Sequence, residues 1–222
     1  MTTVANILTW VGYRIFPDGT AISSSTEPSQ TECIQWINEA CEELLTVCVE
    51  NATEIARTTA SITLSDGTAS YSDLASLLLA PVIMQDKNGD TFSGWIEKTN
   101  TRNPIKLTTE AGSIDYNPST ESEPDEFYID GSNNLIFLPT PDDTYTAKIP
   151  YYAYHTTLTL TTDTVPYKQI FDSVIVESVA MRAQNRDEYD LSFELKWFSY
   201  IRKQARKMLA IRKNPTVTIV NN

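Results

Sequence analysis

Two hydrophobic periods divide this chain, and the points where one gives way to the other leave few folds open. Helical spacing runs through Cys33, Ile34, Ile37, Ala40, Cys41, Leu44, Leu45 and Cys48, and Ala52 and Ile55 continue the same broad face. It returns only from about Pro166. Between them the pattern alternates: Ala60, Ile62 and Leu64 interleave with Thr59, Ser61 and Thr63 before the turn Ser65-Asp66-Gly67-Thr68. A helix-period sequence makes a poor half-buried strand, because its apolar residues fall on both faces. The expected fold is α+β: a helical bundle, with an N-terminal long helix and a C-terminal helical hairpin, carrying an inserted antiparallel β-rich domain. The expected divisions are 1–58 and 166–213 for the bundle, 59–165 for the insertion and 214–222 for an extended arm.

Local signals fill in this outline. Val4, Ile7, Leu8 and Val11 predict a short amphipathic segment ending near Gly12. Ser29-Gln30-Thr31-Glu32 has capping-box spacing and opens the long helix. Asn88-Gly89 predicts a hairpin, and its loop 86–90 resembles part of a calcium loop without the downstream glutamate. Asn103–Gly112 fits either a short capped helix or extended chain. Pro150 implies an edge strand or a strand end.

The last long stretch is the most asymmetric. Ile170, Phe171, Val174, Ile175, Val179, Ala180, Met181 and Ala183 leave few polar positions, which predicts a central helix packed on several sides. Asn185-Arg186-Asp187 then breaks the pattern; a helical hairpin and a single kinked helix both fit. In the next helix Leu191, Leu195, Phe198, Ile201, Ala205, Met208 and Leu209 predict one apolar stripe. Lys196, Lys203 and Lys207 share another face, with Arg206 beside them, while Arg202 points towards the stripe and needs a carboxylate or helix end. With Arg212 and Lys213 these make seven of the chain's 17 basic residues, and all 29 acids precede them. One cationic helix on a chain of net charge −12 predicts docking onto an acidic surface. After Pro215, the run Thr216, Val217, Thr218, Ile219 and Val220 is wholly β-branched, so the arm is either a frayed end or a strand added to a neighbouring chain.

A pI near 4.5 argues against wrapping nucleic acid, though not against a channel through which DNA passes without sticking. No apolar run approaches the roughly 18 residues that span a bilayer. The N-terminus lacks the basic start and apolar core of a secretion signal. Glu39, Glu42, Glu43, Glu50 and Glu54 form an acidic face: a solvated surface, the lining of a passage, or the partner of the basic helix on a neighbouring subunit. Cys33, Cys41 and Cys48 read as small buried hydrophobes. His155, the one histidine, reads as structural, and no nucleophile–base pair, phosphate loop or metal set is found. Tyr151, Tyr152 and Tyr154 offer a stacking platform, which supports an alternative: a carbohydrate- or receptor-binding β module on a helical stem.

The order of elements resembles the head-to-tail adaptor (connector) proteins of tailed bacteriophages, of the tail tubular protein A and tail accessory factor type. The resemblance begins with Ile34-Gln35-Trp36-Ile37-Asn38-Glu39-Ala40 and the strand and turn from Ile62 to Tyr71. It continues through Phe127-Tyr128-Ile129-Asp130-Gly131, Leu135 to Asp142, Pro150-Tyr151-Tyr152 and Leu158-Thr159, and ends with Asp163-Thr164-Val165-Pro166 and the last helices. The loop 119–126 and the tail from Thr216 have no matching pattern. What the resemblance implies is a structural virion protein, not an enzyme: a ring, usually dodecameric, at the head–tail junction, present in the host cytoplasm during assembly. It would dock on the portal, join a downstream tail or nozzle protein and line the DNA exit channel without binding DNA specifically. No cofactor, metal or membrane is implied. The expected portal or subunit interface is Lys196, Arg202, Lys203, Arg206, Lys207, Arg212, Lys213 and Thr216 to Val220, and the expected channel-facing acids are Glu39, Glu42, Glu43 and Glu50.

Overall fold

The computed structural model describes residues 2–72, 78–86, 88–112, 116–117, 120–167, 169–186 and 191–213. Two compact units emerge, one of Met1–Ala56 with His155–Asn222 and one of Arg57–Tyr154. The architecture is α+β: the first unit holds four helices, the second a curled mixed sheet.

In the helical unit, α1 (Val4–Ile15) and α2 (Gln30–Glu50) come from the start of the chain, and α3 (Asp172–Gln184) and α4 (Leu191–Lys213) from its end. Ser29 opens α2 through a complete capping box: its hydroxyl accepts from the Glu32 amide while its own amide donates to the Glu32 carboxylate at 2.9 Å. That hydrogen bonding, with Arg186 nearby, holds the Glu32 carboxyl below its usual range. Gly12 does not end α1. A Cβ there would lie 2.2 Å from the Thr20 carbonyl oxygen, so the glycine admits the returning loop against the helix. The helix runs one turn further and ends at Phe16, whose amide donates to the Gly12 carbonyl.

The apolar α3 is the centre of this unit, packed against α1, α2 and α4. It starts at Asp172, later than Pro166 suggests, and residues 155–165 also belong here rather than to the sheet. Their Leu/Thr alternation looks strand-like, but the segment is a turn whose Asp163 carboxylate accepts from the amides of Thr159 and Leu160. It pairs with the N-terminus through Val4 N to Asp163 O and Val165 N to Thr2 O, both 2.9 Å. Leu158 and Val165 are buried in the helical core.

In the second unit the strands run in the order β1 (Arg57–Leu64), β10 (Tyr145–Ala153), β6 (Gly94–Glu97), β7 (Arg102–Leu107), β8 (Glu126–Ile129), β9 (Leu135–Leu138) and β2 (Ser70–Tyr71). β3 (Leu78–Pro81) also pairs with β10, and β4 (Met84–Gln85) with β5 (Thr91–Phe92) form a separate pair around the 86–90 loop. Ile62, Leu64, Ile96, Ile105, Phe127, Phe137 and Ile149 make its own core. Two expectations are corrected. The sheet is mixed rather than antiparallel, because β7 and β8 pair in parallel at Lys106/Glu126 and Leu107/Phe127. Pro150 lies in an interior strand, flanked by β1 on one side and by β6 and β3 on the other. Its carbonyl accepts from Val82, so its missing N–H faces that same side, between the end of the β6 pairing at Lys148 and the start of the β3 pairing at Tyr151. Val82 is the residue opposite it in the β3 register, so the bond that proline forgoes is the return donation to the Val82 carbonyl, at the end of that ladder. The segment beginning at Asn103 resolves as strand, with Pro104 opposite Trp95.

Candidate interaction surface

The surface is built on α4, whose seating differs from the stripe expected of it. Trp197, Ile201, Ala205 and Leu209, each four apart, are the buried seam. Leu195 is 64% exposed and Phe198 37%, so both leave the predicted stripe and face outward. What moves the seam is Trp197. Its indole Nε1 donates to the Ser178 carbonyl of α3 at 2.8 Å, and the Arg182 guanidinium lies 4.0 Å from its ring centre. Arg182 in turn bonds the carboxylates of Glu39 on α2 and Glu194 on α4. One arginine, with a side chain only 11% exposed, thus ties three helices through an aromatic ring and two acids.

The acids of α2 continue this pattern. Arg202 donates to Glu43, which is buried, and Arg206 to Glu50 at 2.9 Å. Arg202 therefore has the carboxylate its position demands, from its own chain. Of the four acids expected to face a channel, Glu39, Glu43 and Glu50 are held by arginines of this chain, and Glu42 is exposed. Lys196, Lys203 and Lys207 are also exposed, and among the described residues none of them forms an ion pair. α4 extends to Lys213, past Arg212. Thr216, Val217, Thr218, Ile219 and Val220, and with them the arm, lie outside the described residues. Leu195, Phe198, Ser199, Arg202, Arg206 and one of the lysines, Lys203, line an open groove of about 600 Å³.

The groups that carry chemistry elsewhere are occupied structurally here. Cys33, Cys41 and Cys48 are buried free thiols, and burial pushes Cys33 and Cys41 up to about 12. His155 Nε2 is 2.9 Å from Asn38 Oδ1, and burial lowers the His155 pKa. The same Asn38 side chain accepts from the Leu158 amide at 2.8 Å and donates to the Leu158 carbonyl at 2.9 Å, pinning the returning chain to α2. Tyr151 and Tyr152 are buried, which leaves Tyr154 exposed and removes the tyrosine platform. Among the described residues no three histidine, cysteine or acidic side chains converge as a metal set, and no helix is long and apolar enough to cross a membrane. Sequence reasoning missed Arg182, Trp197 and Asn38. The signal available for the first two was a lone arginine in a helix read as apolar and a tryptophan left off the apolar stripe read in the next.

The first unit thus combines arginine-held helices with a basic, partly apolar outer face on α4, and the second is a sheet with its own core. The chain belongs to the SU10 adaptor family of phage proteins: the family model described as SU10 adaptor protein matches residues 2–218. It is a structural adaptor and a component of the virion, with a general role in joining head to tail; the family is no known class of enzyme. No curated protein matches the chain at a significant level.

Proposed function

We propose that this adaptor forms a ring at the head–tail junction, docks on the portal through α4, receives the tail and lines the DNA exit channel. The observation that carries the reading is the lysine ridge. Lys196, Lys203 and Lys207 stay exposed, and none of them pairs with an acid among the described residues, on a protein of net charge −12. A row of like charges kept free on an oppositely charged protein suits an acidic partner surface. The helical frame we infer ends in an antiparallel hairpin, supported by the Ser178–Trp197 and Arg182–Glu194 contacts, whose positions run in opposite directions along α3 and α4. In this reading the β unit meets the next tail component, and Arg212, Lys213 and the arm at Thr216 to Val220 extend the docking surface. The acid excess keeps the lumen from holding phosphates, with Glu42 a better channel residue than Glu39, Glu43 or Glu50, whose charges are offset by arginines. The test is K196E/K203E/K207E, assayed for binding to purified portal rings at low and high salt. The variant should fold as wild type and lose binding, and wild-type binding should weaken as salt rises. Undiminished portal binding by the variant at low salt would remove the lysine ridge from the interface.

A further inference from the structure

The groove on α4 has a counterpart elsewhere in the same chain. Inside the molecule, Arg182 is gripped by two carboxylates and its guanidinium carbon lies over the Trp197 ring. On the surface, Arg202 and Arg206 are gripped the same way by Glu43 and Glu50, and the exposed side chains of Leu195 and Phe198 lie alongside. Here, among the described residues, no ring covers the guanidinium groups. The chain does expose a matching pair of rings one helical turn apart: Trp10 at 39% and Tyr13 at 61%, on α1.

The two features sit on different edges of the helical unit. Arg202 and Arg206 mark the α2 edge of α4. Its other edge carries Tyr200, whose hydroxyl is raised by burial and by Glu177, with Arg14 acting against it, and Arg14 of α1 pairs with Glu177 of α3 at 2.8 Å. Trp10 and Tyr13 belong to that α1 side. Groove and rings on separate edges do not meet within one copy; a contact between them on two copies would be head-to-tail, the kind that repeats and makes a ring where its rotation closes.

We infer that the α4 groove receives Trp10 and Tyr13 of a second copy of this chain, their rings stacking on the carboxylate-held Arg202 and Arg206 over Leu195 and Phe198. Tryptophan, tyrosine and arginine are the side chains that most often dominate interface energetics, and a guanidinium already fixed by a carboxylate loses little freedom when a ring covers it. Lys203 lines the groove, whereas Lys196 and Lys207 lie outside its lining and stay open for a different partner. The inference rests on the ring reading above and adds which surfaces meet.

The test uses the full chain in native mass spectrometry, alone and with purified portal rings. One variant, L195S/F198S, removes the groove but keeps the rings; another, W10S/Y13S, removes the rings but keeps the groove. Thermal unfolding of each checks that it folds. Wild type should give multi-copy assemblies, and each variant alone should lose them. An equimolar mixture of the two should give one-to-one pairs and nothing larger, because a single intact groove then meets a single intact ring pair. General damage to the fold would not restore that pair on mixing. Assembly of either variant as in wild type, or a mixture that stays monomeric, overturns the assignment while leaving a ring through other surfaces standing. Wild type that never exceeds one copy, with or without portal rings, overturns both.

Discussion

Replacing Arg182 with methionine tests the tie between the helices. Methionine keeps an apolar stem over Trp197 but removes the cation and both ion pairs. A largely desolvated cation–π contact contributes about 2 kcal/mol. The side chains of Glu39 and Glu194 are 32% and 36% exposed, so they rehydrate once released, and each pair is discounted to about 0.5–1 kcal/mol. The added apolar contact of methionine returns about 1 kcal/mol. The net expected loss is about 2–3 kcal/mol, read from urea unfolding followed by circular dichroism at a helix wavelength. Glu39→Gln should cost under about 1 kcal/mol in the same assay. A double-mutant cycle of R182M with W197F should give a coupling of about 1 kcal/mol, since a benzene face holds a cation less well than an indole. An R182M loss no larger than that of Glu39→Gln, or additivity within about 0.3 kcal/mol, would refute the account.

Two further outcomes follow from buried groups. With Cys33 and Cys41 pushed up to about 12, the native chain at pH 8 should take no iodoacetamide adducts by mass spectrometry and three once unfolded; adducts on the folded protein would contradict the burial. His155 is depressed by burial, so the unfolded chain binds its proton first as pH falls. Stability from this group should be complete above the ordinary histidine value of about 6.5 and decline as pH drops below it towards the folded pKa. His155→Gln should flatten that part of the urea midpoint–pH curve, and an unchanged slope would assign it to other groups.

The long, strongly periodic elements were legible in the sequence, because burial there depends only on spacing. The α2 face and the capping box at Ser29 are of this kind. The seating of α4 was not. Steps of three and four fit a stripe through Leu195 and Phe198 as well as one through Trp197, and both pass through Ile201, Ala205 and Leu209. The choice between them lies in Ser178 and Arg182, far enough away in the chain that no local pattern links them to α4. The parallel β7–β8 pair was hidden for a similar reason: long connections carry no turn signature that fixes strand direction. Paired acids on α2 look, in sequence, the same as solvated ones. Only the partners distinguish them, and the partners come from the other end of the chain.

That separation sets an order of events during synthesis. Glu39 meets Arg182, Glu43 meets Arg202 and Glu50 meets Arg206 across 143, 159 and 156 residues. At roughly 5–20 residues per second, α2 leaves the ribosome about 7–30 s before the arginines that will hold it. The whole sheet unit, Arg57–Tyr154, is made in that interval and has a core of its own on which to fold. The sheet unit can therefore fold while α1 and α2 still wait for α3 and α4. A product cut off before Arg202 has the whole sheet unit but lacks the arginines that hold Glu43 and Glu50. The ties that close the helical unit are thus set by residues made long after the acids that they grip.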